Sequence, residues 1–199
     1  MIKQTYKKWI AVCTVTSSLL LGACTSTPPS VRDVSIVPLP NNVQQDSSAF
    51  VLPKSCTIGI TDSRLAPAAE YLTGILSPST GYNIKVQDGE GTITLSLGEV
   101  EGKEGAYQLK TDTKKINIKG NSYGGVIAGI ESLRQLFPPQ IESKQIVDGV
   151  DWAIPSVEIN DAPRFTWRGI MLDVSRHFYS KDEVKELLDV MALYKMNKF

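Results

Sequence analysis

The residues best suited to chemistry lie in one short stretch near the end of the chain. Arg168, Asp173, Arg176 and His177 surround an apolar run there. An arginine presents several fixed N–H donors that suit the hydroxyls or carboxylates of a ligand. Charged groups beside a buried strand must be paired or bound to a ligand, because an unpaired buried charge is costly. The spacing leaves two interpretations open: a ligand site, or an Asp173–Arg176 ion pair that closes the end of the strand.

Metal sites and nucleophilic triads find little support in the residue types. His177 is the only histidine, and Cys56 is the only cysteine in the part of the sequence that is expected to fold. A zinc site or a nucleophile–base triad needs more partners than these. A lone histidine more often supports a neighbouring side chain than acts as the catalyst, and we expect no metal and no cofactor.

The run Ser122-Tyr123-Gly124-Gly125 could suggest a phosphate-binding turn at the start of a helix. It matches neither the dinucleotide-binding glycine pattern nor the P-loop. We interpret its glycines as positions where a helix packs closely on a sheet.

The overall composition is that of a globular protein with balanced charge. The chain has 199 residues, of which 42% are hydrophobic, and its 21 basic residues balance 21 acidic ones. A neutral chain offers no basic field to collect nucleic acid, so we expect none as a partner. A net charge of zero is compatible with a sugar or another small molecule as substrate, but it does not identify which one.

Residues 34–161 alternate between short strands and two helices, which predicts one α+β domain. One helix begins after Asp62, and a second runs from about Tyr123 to Phe137, before two prolines. We expect a mostly antiparallel sheet with both helices on one face. The predicted strands are Ala49–Leu52, Thr57–Ile60, Asn83–Val86, Thr92–Leu97, Tyr107–Thr111 and Lys115–Lys119.

Residues 162–199 predict a second unit that is incomplete. Trp167–Val174 has the pattern of a buried strand, and a capping box from Ser180 to Glu183 opens a helix. Residues 196–199 then lead into another strand, giving a strand–helix–strand unit. A parallel sheet needs both faces covered, so this unit cannot stand alone and the sequence predicts a truncation inside a longer fold.

The amino terminus has the layout of an exported lipoprotein. Lysines precede an uncharged apolar run that is too short to span a bilayer, which is typical of a secretory signal over residues 1–23. The run ends in Leu21-Gly22-Ala23-Cys24, which resembles a bacterial lipobox, so Cys24 is the expected lipidation site. Residues 24–33 would form a flexible tether. Thr25 lacks the acidic signal for inner-membrane retention, which favours the outer membrane.

Several short motifs follow one another without a gap over the last part of the chain. They are Pro163-Arg164-Phe165, Arg168-Gly169, Leu172-Asp173, Ser175-Arg176-His177-Phe178 and Met191–Asn197. Together they resemble the opening of the catalytic barrel in family 20 glycoside hydrolases, the β-N-acetylhexosaminidases. The preceding segment, with Ile36–Pro40 near its start, resembles the accessory domain of that family.

This resemblance implies a fold, a reaction and one binding residue. The fold is the α+β accessory domain followed by the truncated start of a (β/α)8 TIM barrel. The reaction removes a terminal β-linked N-acetylhexosamine from a glycan with retention, the acetamide oxygen of the substrate attacking C1. Arg168 corresponds to a sugar-binding arginine, and Asp173 and His177 are supporting candidates. The Asp–Glu pair of the family lies further along, so no catalytic residue is assigned here and the chain alone should be inactive.

Two alternatives remain open. One is a non-catalytic, membrane-tethered carbohydrate-binding or adaptor lipoprotein. The other is a different hydrolase family with a similar accessory domain, against which Leu172-Asp173 and Ser175-Arg176-His177 argue.

Overall fold

The computed structural model describes residues 31–199, in which seven strands and three α-helices are formed. The predicted signal segment and Cys24 lie outside the described residues. The elements are β1 (Asn42–Val51), β2 (Ser55–Ile60), α1 (Ala66–Thr80), β3 (Asn83–Asp88), β4 (Ile93–Leu97), β5 (Tyr107–Thr111), β6 (Ile116–Gly120), α2 (Tyr123–Leu136), β7 (Ala153–Asp161) and α3 (Lys181–Leu193).

The strands form one sheet in the order β1-β7-β5-β6-β4-β2-β3. The α+β assignment is confirmed, but the sheet is mixed rather than mostly antiparallel. The β1–β7, β7–β5 and β5–β6 pairs are antiparallel, whereas β6–β4, β4–β2 and β2–β3 are parallel. Helix α1 connects β2 to β3 as the crossover that parallel neighbours require. Strand direction depends on such connections, which the apolar pattern of a strand does not encode.

One face of the sheet carries the core. Register places Ile58, Ile93 and Ile116 side by side across β2, β4 and β6. All three are fully buried, in one apolar cluster with residues of α1 and α2 such as Leu72 and Leu133. Both helices therefore lie on the same face, as the sequence predicted.

Glycine lets α2 approach the sheet closely. A Cβ atom on Gly125 would lie 2.4 Å from the carbonyl oxygen of Ala106, a distance at which atoms clash. Ser122 caps this helix by accepting a hydrogen bond from the Gly125 amide. The helix-packing interpretation of the 122–125 run is confirmed.

Strand β7 was not predicted, and its proline explains why. Pro155 has no N–H for the ladder, and a proline argues against a central strand. In the structure, the Thr111 hydroxyl donates to the Pro155 carbonyl at 2.9 Å and accepts from the Val157 amide at 2.7 Å. A side chain on β5 therefore continues the hydrogen bonding past the proline.

The second unit is only partly formed as predicted. Helix α3 is present with its capping box: Ser180 accepts from the Glu183 amide, and Glu183 accepts from the Ser180 amide. The predicted buried strand Trp167–Val174 is wrong for this structure. Only Gly169 makes a β-bridge, parallel to Lys198, and Met171 is 89% exposed. A strand extends where it has paired neighbours along its length, and within residues 31–199 the backbone of this segment pairs as a strand only with the short stretch around Lys198.

Candidate functional site

Arg168 lies at the junction between the α+β domain and the second unit. Its Nε–H donates to the carbonyl of Lys195 at 2.8 Å, and Nη1 donates to the carbonyl of Phe165 at 2.7 Å. Partial burial lowers the pKa of the guanidinium, which nevertheless stays charged at physiological pH. Two N–H groups of the guanidinium therefore bind main-chain oxygens, and these hydrogen bonds fix the orientation of the Arg168 side chain.

The main chain of Arg168 is equally engaged. Its amide donates to Oδ1 of Asn197 at 3.0 Å, and its carbonyl accepts from the amides of Asn197 and Lys198 at 2.7 and 3.2 Å. These hydrogen bonds lie next to the isolated parallel bridge between Gly169 and Lys198, which joins the two segments that flank α3. The side chain and the backbone of Arg168 therefore connect the same two segments.

Asp173 and Arg176 lie further along the segment and are open to solvent. Asp173 accepts from the amide and the hydroxyl of Ser175 at 2.9 and 2.8 Å, and these hydrogen bonds lower its pKa. Arg176 Nε lies 3.4 Å from Asp173 Oδ2, with the arginine side chain 89% exposed. The ion pair considered from spacing is present, but exposed pairs of this kind contribute little to stability. It leaves most of the Arg176 donors free.

His177 is exposed, and its ring contacts the ring of Tyr179. Its ring centroid lies 4.9 Å from that of Tyr179, with the rings tilted by 51°. In the described part of the chain, the hydrogen bonds of the Arg168 side chain go to Phe165 and Lys195, so the structure does not join it to Asp173 or His177.

A buried polar network at the same junction was missed by sequence reasoning. The Lys195 side chain is 8% exposed, and its Nζ lies 3.6 Å from Asp161 Oδ2 and donates to the Tyr107 hydroxyl at 3.1 Å. The Tyr107 hydroxyl also lies 2.6 Å from the Ser132 hydroxyl. Burial raises the pKa of Tyr107 and lowers that of Lys195.

One signal in the sequence could have found Lys195. It comes four residues after Met191, the buried residue of α3, a sequence spacing that predicts the same inward-facing side even though the helix itself ends at Leu193. A lysine on such a stripe needs a buried partner.

Two grooves flank Arg168. One, of about 690 Å³, lies between the amino-terminal end of α2 and the second unit, and its walls include Tyr123, Trp167 and Asn197. The other, of about 400 Å³, is bordered by Pro38, Asp161 and Arg168 itself. Neither groove includes Asp173, Arg176 or His177, so the structure places these residues on a separate surface.

Residues 31–199 contain no group of three or more His, Cys, Asp or Glu side chains placed to hold a metal ion. In the same range no helix is both long enough and apolar enough to cross a bilayer.

Comparison with known proteins gives two family matches along the chain. Residues 33–162 match glycosyl hydrolase family 20, domain 2, and residues 165–199 match the catalytic domain of glycosyl hydrolase family 20. The two matches cover the α+β domain and the second unit in the order in which they follow each other here.

Curated relatives and solved structures agree. The chain is 33% identical over 177 residues to a β-hexosaminidase of Porphyromonas gingivalis and 34% identical over 167 residues to one of Vibrio furnissii. These alignments cover 86% and 83% of this chain but only 23% and 26% of the relatives, so the chain spans about a quarter of their length. A mutant Streptomyces plicatus β-hexosaminidase, solved in complex with its product GlcNAc, superposes with a TM-score of 0.79. It is 34% identical over 86% of this chain and 35% of that one.

The family matches extend over the described domain and continue into the unit that contains Arg168 and α3. The chain therefore belongs to glycosyl hydrolase family 20.

Proposed function

We propose that this chain forms the opening part of a β-N-acetylhexosaminidase that removes terminal β-linked N-acetylhexosamine from glycans. The observation that carries the proposal is the second unit. It places α3 between two segments that pair in parallel at Gly169 and Lys198, directly after the accessory domain. That arrangement is the repeating unit of a (β/α)8 barrel. The names of the curated relatives support the same activity.

The proposed chemistry is retaining and substrate-assisted. The substrate acetamide attacks C1, and an Asp–Glu pair orients the acetamide and protonates the leaving oxygen. We assign neither of these roles to a residue of this chain, and we expect the 199 residues alone not to hydrolyse the substrate.

Two assays test this proposal. The 199-residue chain should not hydrolyse a chromogenic N-acetylglucosaminide, whereas a polypeptide that continues through the whole barrel should hydrolyse it. Turnover by the 199-residue chain would contradict the assignment of the chemistry to later residues. A folded complete barrel without activity would favour the alternative function, a tethered carbohydrate-binding or adaptor lipoprotein.

The sugar-binding arginine has two candidates, and the geometry favours Arg176 over Arg168. The Arg168 guanidinium is committed to two carbonyls at the junction, whereas Arg176 is exposed beyond the strand segment. Barrel sites form at the carboxyl-terminal ends of strands. Arg176 follows the segment that would become the first strand of a complete barrel, whereas Arg168 lies near the beginning of that segment. Asp173, paired with Arg176, and His177, the next residue, would support that site.

Matched lysine variants in a complete barrel separate the two arginines. We expect Arg176→Lys to lower kcat/KM by about tenfold or more, since lysine loses the fork geometry of a charge-assisted contact. Arg168→Lys should lower the melting temperature with a smaller kinetic effect. The opposite pattern would restore Arg168 as the sugar ligand.

The membrane partner and the location are part of the same proposal. We infer that Cys24 carries a lipid that anchors the protein to the outer membrane, with the preceding residues removed as a signal peptide. The support is the order of lysines, apolar residues and small residues before Cys24. Mass spectrometry of the protein expressed in a bacterial host should find a lipidated amino-terminal cysteine, and Cys24→Ala should release the protein from membranes. An unmodified Cys24 in the mature protein would refute the anchor.

A further inference from the structure

Lys195 belongs to the second unit, but its charged end lies inside the accessory domain. Its ammonium contacts Asp161, the last residue of β7, and the Tyr107 hydroxyl at the start of β5. The same ammonium lies 5.2 Å from the centre of the Tyr107 ring. A methionine or leucine could fill the same space without the cost of burying a charge, so the lysine has a role beyond filling volume.

The backbone of Lys195 is also unusual. Its φ of 58° makes it the one non-glycine residue with a positive φ in the described chain. Residues other than glycine rarely adopt this left-handed backbone conformation, and it persists where surrounding contacts hold it. The main-chain hydrogen bond from the Met196 amide to the Met191 carbonyl, 2.8 Å long, favours this conformation at the end of α3, and the buried ammonium supplies side-chain contacts that hold it.

The left-handed conformation determines where the Lys195 carbonyl points. That oxygen accepts the Nε–H of Arg168, whose own backbone binds Asn197 and Lys198. A continuous set of contacts thus runs from Asp161 and Tyr107 through Lys195 to Arg168.

We propose that Lys195 is a positioning residue: its buried ammonium fixes a left-handed turn whose carbonyl holds Arg168, and this sets the first barrel strand against the accessory domain. The description of that strand as part of a barrel rests on the proposed function. The contacts themselves do not depend on it.

The consequence extends to the residues that follow Arg168. The strand segment that begins at Arg168 leads to Asp173 and Arg176, so its orientation determines where those side chains emerge. Lys195 would influence the sugar site without touching a ligand.

The experiment follows the Nε–H group of Arg168 by ¹H–¹⁵N NMR in the 199-residue chain, with its signal assigned from its loss in Arg168→Lys. In Lys195→Gln the Nε–H should exchange with water about five to ten times faster, as expected for the loss of one hydrogen bond, and its chemical shift should move. Core amides of β5 and β6 should keep their protection, which separates a positioning effect from general destabilisation. Lys195→Arg keeps a charged donor and should restore most of the protection.

Lys198→Gln is the matched control, because Lys198 is exposed on the adjoining segment and, among residues 31–199, its ammonium lies over the Trp167 ring and not in the buried network. It should leave the Arg168 signal unchanged. If Lys195→Gln does not fold, Asp161→Asn takes its place, since asparagine can still accept from the amides of Asn41 and Ala162. An unchanged Arg168 Nε–H in a folded Lys195→Gln or Asp161→Asn variant would overturn the proposal. These readouts involve no hydrolysis, so their failure is distinct from a failure of the proposed activity.

Discussion

The accessory domain and the second unit differ in where their large apolar side chains lie. In the accessory domain Phe50, Leu95 and Leu109 are at most 1% exposed. In the second unit Trp167 is 73% exposed and Met171 is 89% exposed. A shared apolar core stabilises the strands of the accessory domain. Helix α3 of the second unit is stabilised by its capping box and by the contacts of Lys195 at the junction. Exposed apolar side chains in one segment are typical of a surface that contacts a ligand or another protein surface.

The largest effect expected from this difference is a core truncation. Leu133 of α2 is fully buried, so Leu133→Ala should lower the free energy of unfolding by about 2–5 kcal/mol. Met171→Ala, at an exposed position, should change it by no more than about 0.5 kcal/mol. Urea unfolding monitored by tryptophan fluorescence measures both. Equal losses would mean that the second unit is buried in solution.

A smaller effect is expected where α2 meets the sheet. The Cβ atom of Gly125→Ala would press on the Ala106 carbonyl, at a cost of about 1–3 kcal/mol. Gly124→Ala adds its Cβ where the nearest atom is 3.9 Å away and should be neutral or slightly stabilising. Thermal unfolding of the two variants gives the comparison. Equal behaviour would remove close packing as the reason for glycine at 125.

The sequence predicted best where local signals and core burial agree. Strand β5 was predicted with the observed bounds, and the Ser180 capping box appeared as expected. Strand β7 was missed because Pro155 concealed it, and the parallel half of the sheet was missed because direction depends on connections between distant segments. The Trp167–Val174 strand failed because its apolar pattern requires neighbours that the described residues do not supply.

The candidate site was predictable in composition and not in geometry. The motifs around Arg168 and Asp173 singled out one segment as the candidate site, but residue type could not show that the Arg168 guanidinium turns toward the junction. Lys195 was overlooked because its partners are distant in sequence: Tyr107 lies 88 residues earlier and Asp161 lies 34 residues earlier, on two different strands.

A local effect is expected at the start of α3. Ser180→Ala removes the cap and should destabilise the helix by about 1 kcal/mol. The loss should appear as faster amide exchange in α3, while β5 and β6 stay protected, because few core contacts tie the helix to the domain. A matching loss of protection in the sheet would show that the two units unfold together.

The smallest effect distinguishes the two regions by their response to acid. Asp62, which caps the helical turn before α1, has its pKa lowered to about 2 by its hydrogen bonds with Arg64. Hydrogen bonds with Ser180 lower the pKa of Glu183 at the start of α3. A carboxyl whose pKa is lower in the folded state contributes stability above its unfolded-state pKa and loses it as the pH falls.

Asp62→Asn keeps an acceptor at the cap and removes the charge. The stability of the accessory domain should then fall less steeply between about pH 4 and pH 2 than in the unaltered chain. Glu183→Gln should flatten the acid response of α3 amide exchange and leave that of the domain unchanged. Thermal unfolding across this pH range measures the pH dependence of the stability of the accessory domain, and amide exchange measured in parallel gives the pH dependence for α3. If either variant flattened both slopes, the two regions would share one cooperative unit, and the contrast in their burial would not extend to their stability.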